Sequence, residues 1–521
     1  MTQLGLIPSP VTVESAPGAY EMPRRIGVEG PRDDIDRFMA IVGPGAGLVL
    51  DAEAATAVRL DRSGMDAGAY ELVVNADGVR LSYGDDAGLV SSIATLRQLL
   101  PAWTFGAAPL PGAALTLPHV RIDDRPRFGW RGQHLDVARH FMPLDMIYRL
   151  VDTMHLHKLN VLHLHLTDDQ GWRFPVSALP KLTEGGSSRD ETRPYFLPDA
   201  DGTPHGGYYT HDQLRALVGY AAQRGIDVVP EIDLPGHVRA LLAVYPEYGE
   251  GDAQPVATGF GIFEEVLHLT DETMAMVRTV VDELMAVFPS RYIHLGGDEC
   301  PKEQWRRSEA AAALAAERGL GSVDDLQRWF TEQMYEYVTS QGRVLVGWDE
   351  ILDEGPLPGA LAMAWRRSDE VARTAAQGNE MIVCESRRLY FDYYQSDSDD
   401  EPLAIGGHTT WQDVLAYDPL GVVPEDKHGL VKGVQCQLWT EYMPTASHVE
   451  YMAHPRQAAF AEIAWAATAA DADAFADRLA IDLDRLDARG ITYRPLDGPR
   501  PWQQGGTGRK RRPDLHRYQD A

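Results

Sequence analysis

Cysteine is almost missing from this chain of 521 residues, with only Cys300, Cys384 and Cys436 present. Three scattered cysteines cannot build a disulfide framework, and the lack of a Cys-x-x-Cys pair removes the usual ligand spacing of a structural zinc site. Three buried free thiols are the expectation. Positive charge is also short: 48 Lys and Arg against 77 Asp and Glu leave a net charge of −29. That balance argues against a nucleic-acid partner or an anionic membrane surface, and suits neutral or cationic ligands. No apolar run approaches the ~20 residues that span a bilayer, so no membrane partner is expected. Residues Met1 to Pro10 lack a basic start followed by a long apolar core. A cytoplasmic location is therefore expected, or a secreted one if a signal has been removed ahead of this sequence.

What is present is ordinary for a globular protein, 44% hydrophobic and 24% charged, and long enough for a large barrel with an accessory domain. Residues 1–122 read as a small α/β domain. Tyr70–Asn75 and Gly78–Tyr83 alternate like paired strands around a turn, and Leu89, Ile93, Leu96 and Leu100 mark one face of a helix ended by Pro101. From 123 to 495 the pattern becomes strand–helix alternation. Candidate strands are 130–137, 161–167, 226–232, 291–296, 343–348, 360–365, 380–385 and 432–439. Candidate helices are 143–158, 211–224, 271–288, 323–341, 369–377 and 447–464, with a terminal helix over 470–489. Eight strands so interleaved predict a (β/α)8 TIM barrel of the α/β class. Two long loops interrupt it, 183–208 and 393–429, the second carrying the acidic run Asp397–Glu401, read as solvated. A tail, 496–521, holds Arg509 to Arg512 and reads as a frayed terminus.

The most informative stretch is Tyr292-Ile-His-Leu-Gly-Gly-Asp-Glu299. A short apolar strand breaks at two glycines and delivers two adjacent carboxylates, where the C-terminal face of a barrel presents chemistry. Other strand ends supply Arg139 and His140, Asp168 and Asp169, Glu231 and His237, Trp348, Trp365, Tyr390 and Asp392, and Trp439 and Glu441. Each has a plainer reading. Arg139 and His140 could pair on the surface, Asp168 could cap a turn, and His237 could pack beneath a loop. The tryptophans, taken singly, could be core. Together, aromatic rings, carboxylates and one arginine at successive strand ends make a sugar-binding pocket.

The ordered set resembles glycoside hydrolase family 20, the β-N-acetylhexosaminidases, over almost the whole chain. The resemblance is carried by Arg131-Gly with Asp136-Val-Ala-Arg139-His140, and by His163-Leu-His165-Leu-Thr-Asp-Asp-Gln-Gly-Trp172. It continues through Glu231-Ile-Asp-Leu-Pro-Gly-His237, His294-Leu-Gly-Gly-Asp-Glu299, Gly347-Trp348, Trp365-Arg366 and Leu438-Trp-Thr-Glu441. It implies an exo-acting retaining enzyme that removes terminal β-linked N-acetylglucosamine, with N-acetylgalactosamine as a further candidate, from oligosaccharides such as chitin fragments or from glycoconjugates. The substrate's own acetamido oxygen would be the nucleophile, forming an oxazolinium ion. By the same resemblance Glu299 would be general acid and base, Asp298 would hold the acetamido N–H, and Tyr390 would donate to its oxygen. Asp168 and His237 would form a relay to Glu299. Trp348, Trp365 and Trp439 would wall the sugar, while Arg139, Asp392 and Glu441 would take its hydroxyls. Trp411 is expected to reach beyond the terminal sugar. No cofactor or metal is implied, and a homodimer is a further expectation, since barrel faces pair in some members.

Two other readings stay open. A metal-dependent barrel hydrolase would use His163 and His165, on one side of a strand, with His237 and Asp298. A non-catalytic sugar-binding protein would need the tryptophans alone.

Overall fold

A computed structural model describes residues 4–194, 199–468 and 470–504, so Arg509 to Arg512 lie outside the described residues. Eight parallel strands close into a barrel. In chain order they are β1 Trp130–Asp136, β2 Val161–His165, β3 Asp227–Glu231, β4 Tyr292–His294, β5 Val344–Trp348, β6 Leu361–Ala364, β7 Glu380–Val383 and β8 Val431–Cys436. All seven residues of β1 are buried, as a strand lined by side chains inside and helices outside must be. The predicted (β/α)8 architecture is the one found.

The helices follow their sequence signals closely. Leu144–Leu156, His211–Gln223, Asp271–Val287, Leu326–Ser340 and Ser368–Gln377 wrap the barrel. Thr210 and Gln213 form a capping box that starts the second of these. The expected helix over 447–464 is two, Ala446–Ala453 and Arg456–Trp465. Pro455 between them has no N–H to continue the ladder. β5 and β6 are joined without an α-helix, by a 3-10 turn at Asp349–Leu352.

The N-terminal region forms its own sheet of seven strands, with Thr12–Met22 at one edge and Val49–Leu50 at the other. Tyr70–Asn75 and Gly78–Tyr83 pair antiparallel with Asn75 opposite Gly78, a two-residue turn that needs the φ of 127° at Gly78. The helix Asp86–Leu99 lies between this sheet and the barrel helix Leu144–Leu156. It is therefore buried beyond the one apolar stripe that its sequence shows. Gln98 on its other side donates to the Ile7 and Leu156 carbonyls at 2.7 and 2.8 Å. Beside it, Lys158 meets Asp124 at 2.7 Å, and Tyr70 and Trp465 also donate to that carboxylate, tying sheet to barrel. Among the described residues no helix is long and apolar enough to cross a membrane.

The two long loops differ from expectation. Within 183–208, Ser188–Arg189 pairs with His205–Gly206 as a small ribbon. The 393–429 segment contains the helix Trp411–Leu415 and a 3-10 turn, Glu425–Leu430. Its acidic run is not uniformly solvated: Glu401 is buried and accepts from Arg494 and Tyr451, both at 2.6 Å. Trp411 packs on Phe475 of the terminal helix at 5.6 Å, so its ring serves the core and not a sugar. Of the three free cysteines, Cys384 and Cys436 are buried and Cys300 is partly exposed.

Candidate active site

The chemistry-bearing residues gather at the C-terminal ends of the strands because the ends are level. Asp136 pairs with His165, His165 with Glu231, and Glu231 with His294 around the barrel. His163 and His165, two apart on β2, both point inward. Both imidazoles meet Glu231, at 3.0 and 2.6 Å, and His294 reaches its other oxygen at 3.1 Å. Trp348 Nε1 donates to the same carboxylate at 2.9 Å. Burial would raise Glu231, but the surrounding histidines hold it well below the usual carboxylate range. This buried knot is the floor on which Trp348 rests.

Above the floor, the β4 turn presents Asp298 and Glu299. Gly296 and Gly297 have φ of 64° and 98°, and Glu299 itself sits at 46°, a left-handed backbone in a non-glycine residue. A Cβ on Gly296 would fall 1.6 Å from Asp233 Oδ1, and Gly297 N donates to that oxygen at 3.1 Å. The glycines thus let Asp233 buttress the turn from below. His237, also strained at φ 51°, faces the pair, with Nε2 3.7 Å from Glu299 and 4.0 Å from Asp298. Glu299 is the open member, its side chain 34% exposed against 12% for Asp298. Burial pushes the Asp298 carboxyl up, with Glu299 adding to it and His237 opposing.

His237 Nδ1 lies between two carboxylates, 3.3 Å from Asp168 and 3.1 Å from Asp169. The contact expected between His237 and Asp168 is shared with Asp169. Burial would depress His237, yet Asp168, Asp169 and Glu299 carry it well above the ordinary imidazole value. Asp168 has a second duty: it binds Arg139 at 2.7 Å and His165 at 3.0 Å. Arg139 and His140 are both buried, not a surface pair. Arg139 lies over the Trp439 ring at 4.9 Å and is braced by Gln170 at 3.1 Å.

The far wall is aromatic. Tyr390 stacks near Trp365 (6.0 Å, 22° between planes) and faces Trp439 at 6.4 Å, while Tyr394 belongs to the main barrel core. Burial holds the Tyr390 hydroxyl well above its usual pKa, so it remains a donor. Backbone pairing with Gln437 fixes Tyr390 beside β8. Arg456 then hangs the whole segment, donating to the carbonyls of Phe391 (2.5 Å), Tyr393 (2.9 Å) and Thr409 (3.1 Å). Asp392 and Glu441 complete the rim. Asp392 Oδ1 and Glu441 Oε2 are buried without a hydrogen-bond partner among the described residues. Burial pushes Glu441 up to about 7 against the pull of Arg139, and raises Asp392 with Glu441 adding to it.

Sequence reasoning passed over Glu350. It accepts from Trp365 Nε1 at 3.0 Å and stands close enough to Asp298 to feel its charge. The signal was its place two residues after Trp348, on the turn that leaves β5. Asp233, inside the Glu231-Ile-Asp segment, went without a role for the same reason: its effect is on backbone, not on a ligand. The donor set of the metal reading does not converge. Among the described residues His163 groups with His134 and Glu231, whereas His237 groups with Asp168 and Asp169 or with Asp233 and Asp298.

Comparison with known proteins agrees with this geometry. Residues 128–468 match the model of the glycosyl hydrolase family 20 catalytic domain, and residues 3–125 match domain 2 of that family. The chain is 39% identical to a β-hexosaminidase of Porphyromonas gingivalis over 84% of its own length and 56% of that protein's. It is 35% identical to a β-hexosaminidase of Akkermansia muciniphila, over 77% of this chain and 80% of that one. Among solved structures, a Streptomyces plicatus β-hexosaminidase in complex with the product GlcNAc superposes with a TM-score of 0.82 at 33% identity, covering 96% of this chain and 98% of the other.

Proposed function

Because the chain belongs to glycosyl hydrolase family 20, we propose that it removes terminal β-linked N-acetylglucosamine, and N-acetylgalactosamine as a second substrate, by substrate-assisted retention. The observation that carries this reading is the Asp298–Glu299 pair facing His237 at the same strand-end face as the Trp365–Tyr390–Trp439 wall. Glu299, the more open carboxyl, protonates the glycosidic oxygen. The negative charge it acquires is met by the cationic His237, itself held by Asp168 and Asp169. The acetamido oxygen closes on the anomeric carbon as the leaving group departs. Asp298 holds the acetamido N–H and faces the positive charge that develops, and Tyr390 donates to the acetamido oxygen. Water activated by Glu299 then opens the oxazolinium ion. Arg139, Asp392 and Glu441 hold the ring hydroxyls, which supplies partners to the buried oxygens of the last two.

The test is hydrolysis of nitrophenyl N-acetyl-β-glucosaminide beside the matching glucoside without the acetamido group. Turnover of the first and almost none of the second is the expected result. Comparable turnover of both would sink acetamido participation. Binding without turnover would return the sugar-binding reading, and loss of activity with a chelator the metal reading.

A further inference from the structure

Four buried histidines, His134, His163, His165 and His294, lie together beneath the candidate site, and their hydrogen bonds set one of them apart. Gln435 Nε2 donates to His163 Nδ1 at 3.0 Å, an orientation fixed by the Trp130 indole, which donates to Oε1 of the same amide at 3.1 Å. The Gly296 N–H donates to His294 Nδ1, also at 3.0 Å. Each of these two rings therefore has a nitrogen without a proton. Burial holds His134 well below the ordinary imidazole value. His165 is different. Its Nδ1 lies 2.6 Å from Glu231 and its Nε2 3.0 Å from Asp168. Asp168 is kept ionised by Arg139 at 2.7 Å and by the Asp169 N–H at 2.6 Å. An ionised carboxylate only accepts, so both nitrogens of His165 carry protons. Burial would depress His165, yet Glu231, Asp168 and Asp136 carry it well above the ordinary imidazole value.

We propose that His165 is a positioning residue for the general acid, an imidazolium that pins Asp168 and, through it, the His237 ring behind Glu299. The inference rests on the proposed function, which makes Glu299 the acid and Asp168 and His237 its relay, and it carries that relay down to the barrel interior. The chain of contacts runs Glu231–His165–Asp168–His237–Glu299 at 2.6, 3.0, 3.3 and 3.7 Å, carboxylate and imidazole alternating. His165 and Arg139 both meet Oδ2 of Asp168, which leaves Oδ1 turned to His237. Without the His165 N–H only Arg139 holds Oδ2, and the carboxylate is free to turn away from His237. Glu231 anchors the other end, since it also accepts from Trp348 Nε1 at 2.9 Å. The knot that supports the aromatic floor thus also sets the acid.

Two measurements test this. Neutron diffraction from crystals of the wild-type chain should show deuterium on both ring nitrogens of His165, a result that needs no variant. On the wild type and His165→Gln, kcat/KM is then compared for phenyl and dinitrophenyl N-acetyl-β-glucosaminide. Phenolate leaves only with a proton from the acid, whereas dinitrophenolate leaves unaided, so the pair isolates acid catalysis. His165→Gln should lower kcat/KM for the phenyl substrate by about tenfold and for the dinitrophenyl substrate by less than about twofold. Equal losses on the two substrates, or none on either, would overturn the positioning role. A single deuterium on His165, with normal turnover by the wild type, would overturn the inference alone. Failure of the wild type on both substrates would overturn the hexosaminidase reading, and the positioning role with it.

Discussion

Charge is buried twice in this protein, and in opposite ways. Where the N-terminal sheet meets the barrel, Lys158, Asp124, Tyr70 and Trp465 satisfy one another: Lys158 donates to Asp124 and to the Tyr70 hydroxyl, and the Trp465 indole closes the second carboxylate oxygen. At the barrel's C-terminal face, His237 Nε2, Asp392 Oδ1 and Glu441 Oε2 are equally sheltered but have no hydrogen-bond partner among the described residues. A buried polar group costs stability unless it is paired, so the first cluster is satisfied as folded, while the second offers groups that a bound sugar's hydroxyls can meet. Polarity and burial alone do not distinguish a structural cluster from a working one; the place of the second at the C-terminal ends of the strands does.

The sharpest break of this contrast is Glu299→Gln. Loss of the proposed general acid should cut kcat by about 10²–10⁴-fold while the denaturation midpoint stays where it was. Lys158→Met should do the reverse. Leaving Asp124 buried with its cation gone should cost about 3–5 kcal/mol of stability in denaturant titrations, with kcat/KM preserved in the folded fraction. A subtler probe is pH. The Glu441 carboxyl, pushed up to about 7 by burial, accepts a sugar hydroxyl better once ionised. Affinity for N-acetylglucosamine, followed by calorimetry, should therefore improve as pH rises through that value, and Glu441→Gln should flatten the profile. The smallest effect is expected at Glu350. Its alanine variant removes the acceptor of the Trp365 indole, a bond worth about 1 kcal/mol, and should raise KM severalfold with little change in kcat; Glu350→Gln keeps an acceptor and should restore KM.

The barrel was legible because parallel strands buried on both faces read as apolar runs between amphipathic helices, as in Asn160 to Leu166 after Leu144–Leu156. The candidate site was legible for the related reason that a barrel puts its chemistry at strand ends, where Gly296-Gly297-Asp298-Glu299 breaks the apolar pattern. What escaped was whatever depends on a partner distant in sequence. Glu401 looked solvated within its acidic run because its partners Tyr451 and Arg494 lie 50 and 93 residues away. Trp411 looked available to a ligand because Phe475 was not in view. The division of His237 between Asp168 and Asp169 is a matter of tenths of an ångström, which no spacing rule resolves. Pro455 is different: it stands in the sequence itself, within an apolar periodicity that continues on both sides of it.

Arg456 gives the molecule an order of completion. Domains emerge from the ribosome N-terminal end first, so Asp298 and Glu299 leave the exit tunnel some 150 residues before this arginine. The carbonyls of Phe391, Tyr393 and Thr409 have no guanidinium to gather them until the helix Arg456–Trp465 has been made. A nascent chain halted after β8 would thus carry every strand and both acidic residues, yet hold Tyr390 and Asp392 on an unsecured segment. On the roles proposed above, the acid–base carboxylate is thus made well before the arginine that secures the segment carrying Tyr390 and Asp392.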